Sequence, residues 1–226
     1  PAVNFTSHLL PRLFLPFIML AKAALNRTAS ALWKPARKGA FSCKSKPSTA
    51  AKSAPRTIKR MFSSEQVEER LAAHGLSWPG PVKPKENYLG IVRSGSLMFL
   101  SGHLPYDPPN QNAAESLIKG KVGKDLTLED GQKAAKYCAV ALLGTLKDNI
   151  NSWEHVRKIV RITGYVNCVD GYEPLSKVVN GASDILVDVL GEHRGLHARS
   201  AIGVSSLPYG AAVEVEMVVE LDDQFA

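Results

Sequence analysis

The stretch from His197 to Leu221 contains the strongest candidates for functional side chains. Apolar and polar residues alternate on both sides of Leu207-Pro208-Tyr209-Gly210, which predicts two strands joined by a turn as a hairpin. On the first strand Arg199 shares a face with Ala201 and Gly203. We expect this face to lie opposite the apolar core, with carboxylates of the second strand beside it. A guanidinium matches a carboxylate bidentately, so Arg199 predicts either an ion pair at an interface or an anion site, and the spacing alone favours the ion pair.

The second strand, Val213 to Leu221, places Glu214 and Glu216 on the face opposite its apolar residues. In a simple hairpin Arg199 and Glu214 would be more than about 13 Å apart along the ladder. If both serve one site, we expect them to come from different subunits or to meet through ligand and water.

Several separated motifs, in order, resemble the Rid (YjgF) family, also known as L-PSP endoribonuclease-like proteins. They are Tyr88, Ser101-Gly102-His103-Leu104-Pro105, Val179-Asn180, Ala198-Arg199-Ser200, Leu207-Pro208 and Glu214-Val215-Glu216. The resemblance covers about residues 64–222, and it is greatest to a less studied branch typified by the sequences GKVG at 120–123 and NGASD at 180–184.

The resemblance implies hydrolysis of reactive enamines and imines of amino acids to 2-oxo acids and ammonia, without a metal or organic cofactor. Arg199 would clamp the substrate carboxylate, Glu214 would act as acid or base on a water, and Tyr88 would cover the substrate or donate a hydrogen bond. The remaining positions implied to line the cleft are Ser101, Asn180, Ala201 and His103.

Two of these positions differ from the family pattern. Ala201 stands where the deaminase branch often has cysteine, and His103 stands where many members have glutamine. His103 has a plainer alternative as a surface or hydrogen-bonded histidine, which histidines adopt more often.

Other function classes remain open. The first is a regulatory trimer that binds a small carboxylate without turnover, because fold and site do not prove catalysis. The second is an endoribonuclease, which the charge of the folded part disfavours. The third is a chaperone-like role, for which no sequence feature discriminates.

The net charge of +7 is divided unevenly along the 226 residues. Residues 1–60 contain twelve Lys and Arg and no Asp or Glu, whereas the rest carries sixteen basic and all 21 acidic residues. Residues 1–62 therefore predict a basic organellar targeting leader, mitochondrial in our interpretation with plastid and cytosol as alternatives. Residues 63–226 predict one acidic domain, which has no basic stripe for nucleic acid.

The element order along that domain is a short helix followed by ββ-α-β-α-ββ, which predicts an α+β two-layer sandwich. Thr127 and Glu173-Pro174 open two long helices, which we expect on one face of a single mixed sheet. The other face would stay uncovered within one chain, so we expect an oligomer. The resemblance implies a chorismate-mutase-like fold and a homotrimer with clefts between subunits.

The three cysteines and six histidines show no metal-ligand or redox spacing. We therefore expect no metal site. The expected partners are other copies of the chain and a small carboxylate, with no membrane and no nucleic acid.

Overall fold

A computed structural model of the chain describes residues 62–80, 87–108 and 114–222. These residues belong to one compact unit, Ile58–Ala226. The predicted leader lies outside the described residues, apart from Phe62.

Three helices occur where sequence signals for helix ends predict them, and they are α1 (Ser64–Ala73), α2 (Leu128–Lys147) and α3 (Leu175–Leu190). The described residues also contain the single turn α4 (Glu192–Gly195), which the sequence did not predict. Ser63 with Gln66, and Thr127 with Asp130, form the reciprocal hydrogen bonds of a capping box. Gly191 ends α3 with φ of 77°, a backbone conformation that glycine adopts without strain.

Five strands form one mixed sheet in the order β1-β2-β5-β3-β4. Their bounds are β1 (Ile91–Ser94), β2 (Leu97–His103), β3 (Val156–Asn167), β4 (Ala198–Val204) and β5 (Val213–Leu221). All pairs are antiparallel except β3 with β4, which run parallel. The predicted α+β sandwich with a mixed sheet is confirmed.

The predicted hairpin between β4 and β5 is wrong. β4 pairs with β3 alone, whereas β5 lies between β2 and β3. The chain therefore crosses over β3 between the two strands. Alternation and turn residues at 207–210 identify two strands correctly, but they carry no information on which neighbour each strand pairs with.

The apolar core lies between the sheet and the helices α2 and α3. Its members include Leu142 and Leu143 of α2, Leu186 of α3, and Ile162 and Met217 of the sheet. No helix in the described part of the chain is long and apolar enough to cross a membrane.

The opposite face of the sheet is open within one chain. Arg157 pairs there with Glu220 at 3.2 Å, and Arg161 donates to Ser200 Oγ at 2.9 Å. Phe99 and Ile202 are 44% and 42% exposed on the same face. Both arginines of β3 therefore lie on the open face of the sheet.

Candidate active site

Arg199 lies on the helix side of the sheet. Its register partner on β3 is Ile162, which is fully buried under the helices, and partners in register share a side of the sheet. Ala201, two residues on, packs partly buried against the core. The prediction that Arg199 lies on the face opposite the core is wrong, because α3 covers the part of the edge strand β4 on which it lies.

Two neutral oxygen atoms of α3 hold the guanidinium. Arg199 Nη1 donates to Asn180 Oδ1 at 2.8 Å and to Ser183 Oγ at 3.0 Å. Positions three apart on a helix lie on one face, so a single helix face supplies both acceptors. Within the described residues Arg199 forms no ion pair, which leaves its charge available to an anion.

A histidine extends this cluster. His197 Nε2 lies 3.1 Å from Ser183 Oγ, and its Nδ1 is hydrogen-bonded to the carbonyl of Gly195. Burial, and then the charge of Arg199, lower the pKa of His197 despite the opposing effect of the Gly195 carbonyl. Arg199, Asn180, Ser183 and His197 are called the arginine cluster below. A cavity of about 590 Å³ adjoins it, lined also by Asp184, Val187, Asp188 and Leu196.

The second candidate group is centred on Glu214, which lies on the open side of the sheet. Glu214 is half-buried, and its carboxylate lies against the backbone of Gly102, where a Cβ atom would overlap it. A register shift in β2 between Leu100 and His103 brings Gly102 to this position. Burial, and then the charge of Glu216, raise the pKa of Glu214. The carboxyl is thus suited to carry and release a proton.

Ser101 precedes Gly102 and fixes the chain beside it. Its Oγ donates to the carbonyl of Leu89 at 2.8 Å, and its amide donates to the carbonyl of Gly90 at 3.0 Å. Tyr88, next to Leu89, is 53% exposed. Glu214, Gly102 and its neighbour Ser101 are called the glutamate cluster below. The hydrogen bonds of Ser101 hold Leu89 and Gly90, the two residues after Tyr88, against the strand that carries Gly102.

His103 does not line either cluster. Its Nδ1 donates to the carbonyl of Ser101 at 2.8 Å, and its Nε2 accepts from Thr145 Oγ1 of α2 at 2.7 Å. Burial lowers the pKa of His103. The structure agrees with the plainer alternative of a hydrogen-bonded histidine.

The two clusters do not meet within one chain. Arg199 is in register with Ile162 of β3, and Glu214 with Tyr165. Two strand spacings and three residues of rise separate the two Cα atoms by about 14 Å. Their side chains also leave opposite faces of the sheet. The separation agrees with the expected distance of more than about 13 Å. Its cause differs from the one expected: β3 lies between the two residues and their side chains point to opposite faces, whereas the prediction assumed positions far apart along one hairpin.

Comparison with known proteins identifies the family. Residues 68–221 match the family described as YjgF/chorismate mutase-like, putative endoribonuclease. The chain belongs to this family. It is also 36% identical over 163 residues to Protein TCP17 of Trypanosoma cruzi, covering 72% of this chain and 99% of that protein.

Two solved structures resemble about 70% of this YjgF-family chain. The protein Atu1372 from Agrobacterium tumefaciens, of unknown function, is 36% identical with a TM-score of 0.64, over 70% of this chain and 94% of its own. A putative endoribonuclease from Shewanella oneidensis is 28% identical with a TM-score of 0.63, over 69% of this chain and 99% of its own. The chorismate-mutase-like fold is thereby established.

Sequence reasoning missed Ser183, His197 and the contact of Gly102 with Glu214. The spacing of Asn180 and Ser183 on a predicted helix was a usable signal, because residues three apart share a helix face. The position of His197, two residues before the arginine, was a second signal. Among the described residues no group of three or more His, Cys, Asp or Glu side chains could hold a metal ion.

Proposed function

We propose that the chain is a hydrolase that deaminates reactive enamine and imine intermediates of amino acids to 2-oxo acids and ammonia. The observation that carries this proposal is the state of Arg199. Two neutral oxygen atoms hold it, and no carboxylate of the described residues pairs with it. A positioned, uncompensated guanidinium is a receptor for a small carboxylate.

The substrate fits between two subunits of a homotrimer. Arg199 of one subunit binds the carboxylate, and the glutamate cluster of the next subunit faces the imine carbon. This arrangement is proposed because the two clusters lie about 14 Å apart within one chain, on opposite faces of the sheet. The open face, with its exposed Phe99 and Ile202, is the surface through which we propose that the subunits associate.

The reaction then needs only water and one proton carrier. Water adds to the carbon of the protonated imine, and one proton of that water passes to the Glu214 carboxylate. The protonated Glu214 returns the proton to the nitrogen of the tetrahedral intermediate. The carbon–nitrogen bond breaks, ammonia leaves with the hydroxyl proton as ammonium, and the 2-oxo acid remains. The raised pKa of Glu214 suits this exchange, because a carboxyl whose pKa is closer to neutral pH accepts and returns a proton more readily.

The test uses the 226-residue chain and imines generated in place by an amino-acid oxidase or dehydratase. We expect 2-oxo acid to form faster than the spontaneous rate. Arg199→Ala should abolish the acceleration, and Arg199→Lys should raise KM because lysine keeps the charge but loses the fork. Arg93→Ala removes an exposed arginine of β1 and serves as the control. No acceleration by a folded wild-type chain would refute the deaminase.

Mixed oligomers test the shared site. Neither Arg199→Ala nor Glu214→Gln should be active alone. In trimers assembled from both chains, about a quarter of the clefts receive the intact arginine from one subunit and the intact glutamate from the next. Recovery of activity to roughly that fraction supports a site built by two subunits. Mixed trimers without activity would refute it.

A carboxylate-binding regulatory trimer is the second candidate. The arginine cluster favours it, because Arg199, Asn180 and Ser183 are assembled within one chain and need no catalytic carboxylate to bind an anion. Pyruvate binding that Arg199→Ala abolishes, without any turnover of imines, would select this candidate. The endoribonuclease named in the family description has less support, because residues 61–226 carry net negative charge.

We also propose a mitochondrial location, supported only by the composition of residues 1–62. Imaging of a fluorescent fusion with and without those residues tests this. Mitochondrial signal that does not depend on residues 1–62 would contradict it.

A further inference from the structure

The hydrogen bonds of Arg199 leave one edge of its guanidinium for a ligand. Nη1 carries two hydrogens, and its two bonds go to Asn180 Oδ1 and Ser183 Oγ. The remaining donors are Nε and Nη2. These lie side by side along one edge and form the fork that matches the two oxygens of a carboxylate. The residues that hold Nη1 therefore decide where that fork points.

The donor directions around Ser183 are fixed by its neighbours. The carbonyl of Gly195 can only accept, so His197 Nδ1 carries the hydrogen of the ring and Nε2 is an acceptor. Nε2 thus receives the single hydroxyl hydrogen of Ser183. The lone pairs of Ser183 Oγ are then left to accept from Arg199. The opposite direction would leave the hydroxyl hydrogen of Ser183 without this partner.

The series of hydrogen bonds from Arg199 through Ser183 and His197 ends at the carbonyl of Gly195, which is packed tightly against α3. Gly195 is buried at the end of α4, where an added Cβ would approach Leu186 and Val187 of α3 within 2.6 Å. The carbonyl that receives the His197 hydrogen is therefore fixed relative to α3. Since α3 also carries Asn180 and Ser183, one helix and the turn after it determine the whole arrangement.

We infer that Ser183 and His197 are positioning residues that direct the Nε and Nη2 edge of Arg199 toward the substrate carboxylate. Only the identity of the ligand rests on the proposed function. The orientation of Arg199 in the ligand-free protein does not.

The other charged groups that line the adjoining cavity are Asp184 and Asp188 of α3, and Asp188 lies 3.4 Å from His74 Nε2. Arg199 itself disfavours a proton on His197. A protonated His197 would donate from Nε2, so Ser183 Oγ would face two cationic donors at once. The neutral ring with its hydrogen on Nδ1 is the form that supports the arginine.

Nuclear magnetic resonance of the ligand-free 226-residue chain tests the orientation. In wild type at neutral pH we expect ¹⁵N shifts of His197 that show a hydrogen on Nδ1 and none on Nε2. We expect separate, slowly exchanging Nη1 and Nη2 signals for Arg199. Ser183→Ala should shift the Nε2 signal and speed exchange of the Nη groups. Ser176→Ala makes the same change at an exposed position of α3 and should alter neither signal.

Binding of pyruvate tests the consequence. Ser183→Ala and His197→Gln should each raise the Kd of pyruvate by about tenfold, as expected on loss of a hydrogen bond to a charged group. His193→Gln changes an exposed histidine of α4 and should bind like wild type. In the deaminase assay both positioning variants should raise KM while kcat stays within about twofold, because neither residue touches the reacting carbon.

The inference and the proposed function fail in different ways. A wild-type chain that binds no pyruvate overturns the carboxylate ligand, whatever the spectra show. A hydrogen on His197 Nε2 in wild type overturns the inference even if both variants fail to fold. Unchanged Arg199 exchange in Ser183→Ala also overturns it.

Discussion

Gly102 contacts Glu214, and a substitution at Gly102 should lower activity strongly while it changes stability little. In Gly102→Ala the added Cβ would overlap the carboxylate and approach Cδ and Cγ of Glu214 at 2.7 and 2.9 Å. The φ of Gly102 is not in the left-handed region, so alanine is compatible with the backbone. Glu214 must therefore rotate away as a whole side chain, because moving the carboxylate alone does not relieve the overlap.

The expected cost to stability is small, and the cost to activity is large. Forcing the half-buried Glu214 side chain about 30° out of its rotamer should lower the free energy of unfolding by about 0.5–1.5 kcal/mol. Displacing the acid–base group should lower kcat by about 10²–10⁴-fold. Urea unfolding measures the first quantity, and 2-oxo acid formation from imines generated in place measures the second.

A second substitution checks that steric overlap is the cause. Glu214→Ala removes the three atoms that the new Cβ approaches most closely, so Gly102→Ala should cost almost nothing in that background. Glu214→Gln keeps the shape and should leave the cost in place. A Gly102→Ala chain with kcat within twofold of wild type would refute the reasoning. So would a stability loss that persists in the Glu214→Ala background.

Three further predictions concern stability. Tyr209 is 66% exposed and has a φ of 57°, a conformation that asparagine tolerates better than tyrosine. Tyr209→Asn should therefore raise the free energy of unfolding, measured in urea, by about 0.5–1 kcal/mol. A destabilised variant would contradict this. The pKa of Glu214 is raised above its usual 4.5, so the folded state binds this proton more tightly than the unfolded state does. The stability of the fold therefore decreases as pH rises through the folded pKa. Glu214→Gln should therefore be more stable than wild type at pH 7, with the difference disappearing toward about pH 4.5, and equal stabilities at pH 7 would contradict this. Thr145→Val removes the donor to His103 Nε2 and should cost about 1–3 kcal/mol in urea unfolding, whereas a cost below about 0.5 kcal/mol would show that water replaces it.

The pH dependence of His103 has the opposite sign from that of Glu214. Burial lowers the pKa of His103 from 6.5, so the unfolded state binds the proton more tightly. Its contribution to stability is complete above about pH 6.5 and is lost as pH falls toward the folded pKa.

Local sequence signals predicted local structure well. The capping residues Ser63 and Thr127 fixed two helix starts, because a short side chain satisfies the free amides there in any fold. Strict alternation from Val213 to Leu221 predicted which side of β5 is buried, because the side-chain period of a strand is two. The resemblance to the family named Arg199 and Asn180 as candidate site residues, and the structure brings these two side chains into contact.

Pairing between strands was not predictable from these signals. The turn residues at 207–210 are compatible with a hairpin and with a crossover, since both need a change of direction. The choice between them depends on β3, whose apolar β-branched residues accept a parallel partner on one side and β5 on the other. The face on which Arg199 lies follows from this choice, and the error at Arg199 has the same origin as the error in the hairpin.

The central place of β5 in the sheet has a consequence for how the chain is made. β5 is the last strand in the described sequence, yet it lies between β2 and β3 and connects the β1-β2 hairpin with the β3-β4 pair. A nascent chain can form α2, α3 and that parallel pair before β5 leaves the ribosome, but the two parts of its sheet remain unjoined. Strand pairing across more than a hundred residues, such as Leu97 with Glu220, also favours slow folding. The exposed edges of β2 and β3 would meanwhile be open to other chains, so the pairing of β5 decides whether the sheet is completed or the chain aggregates.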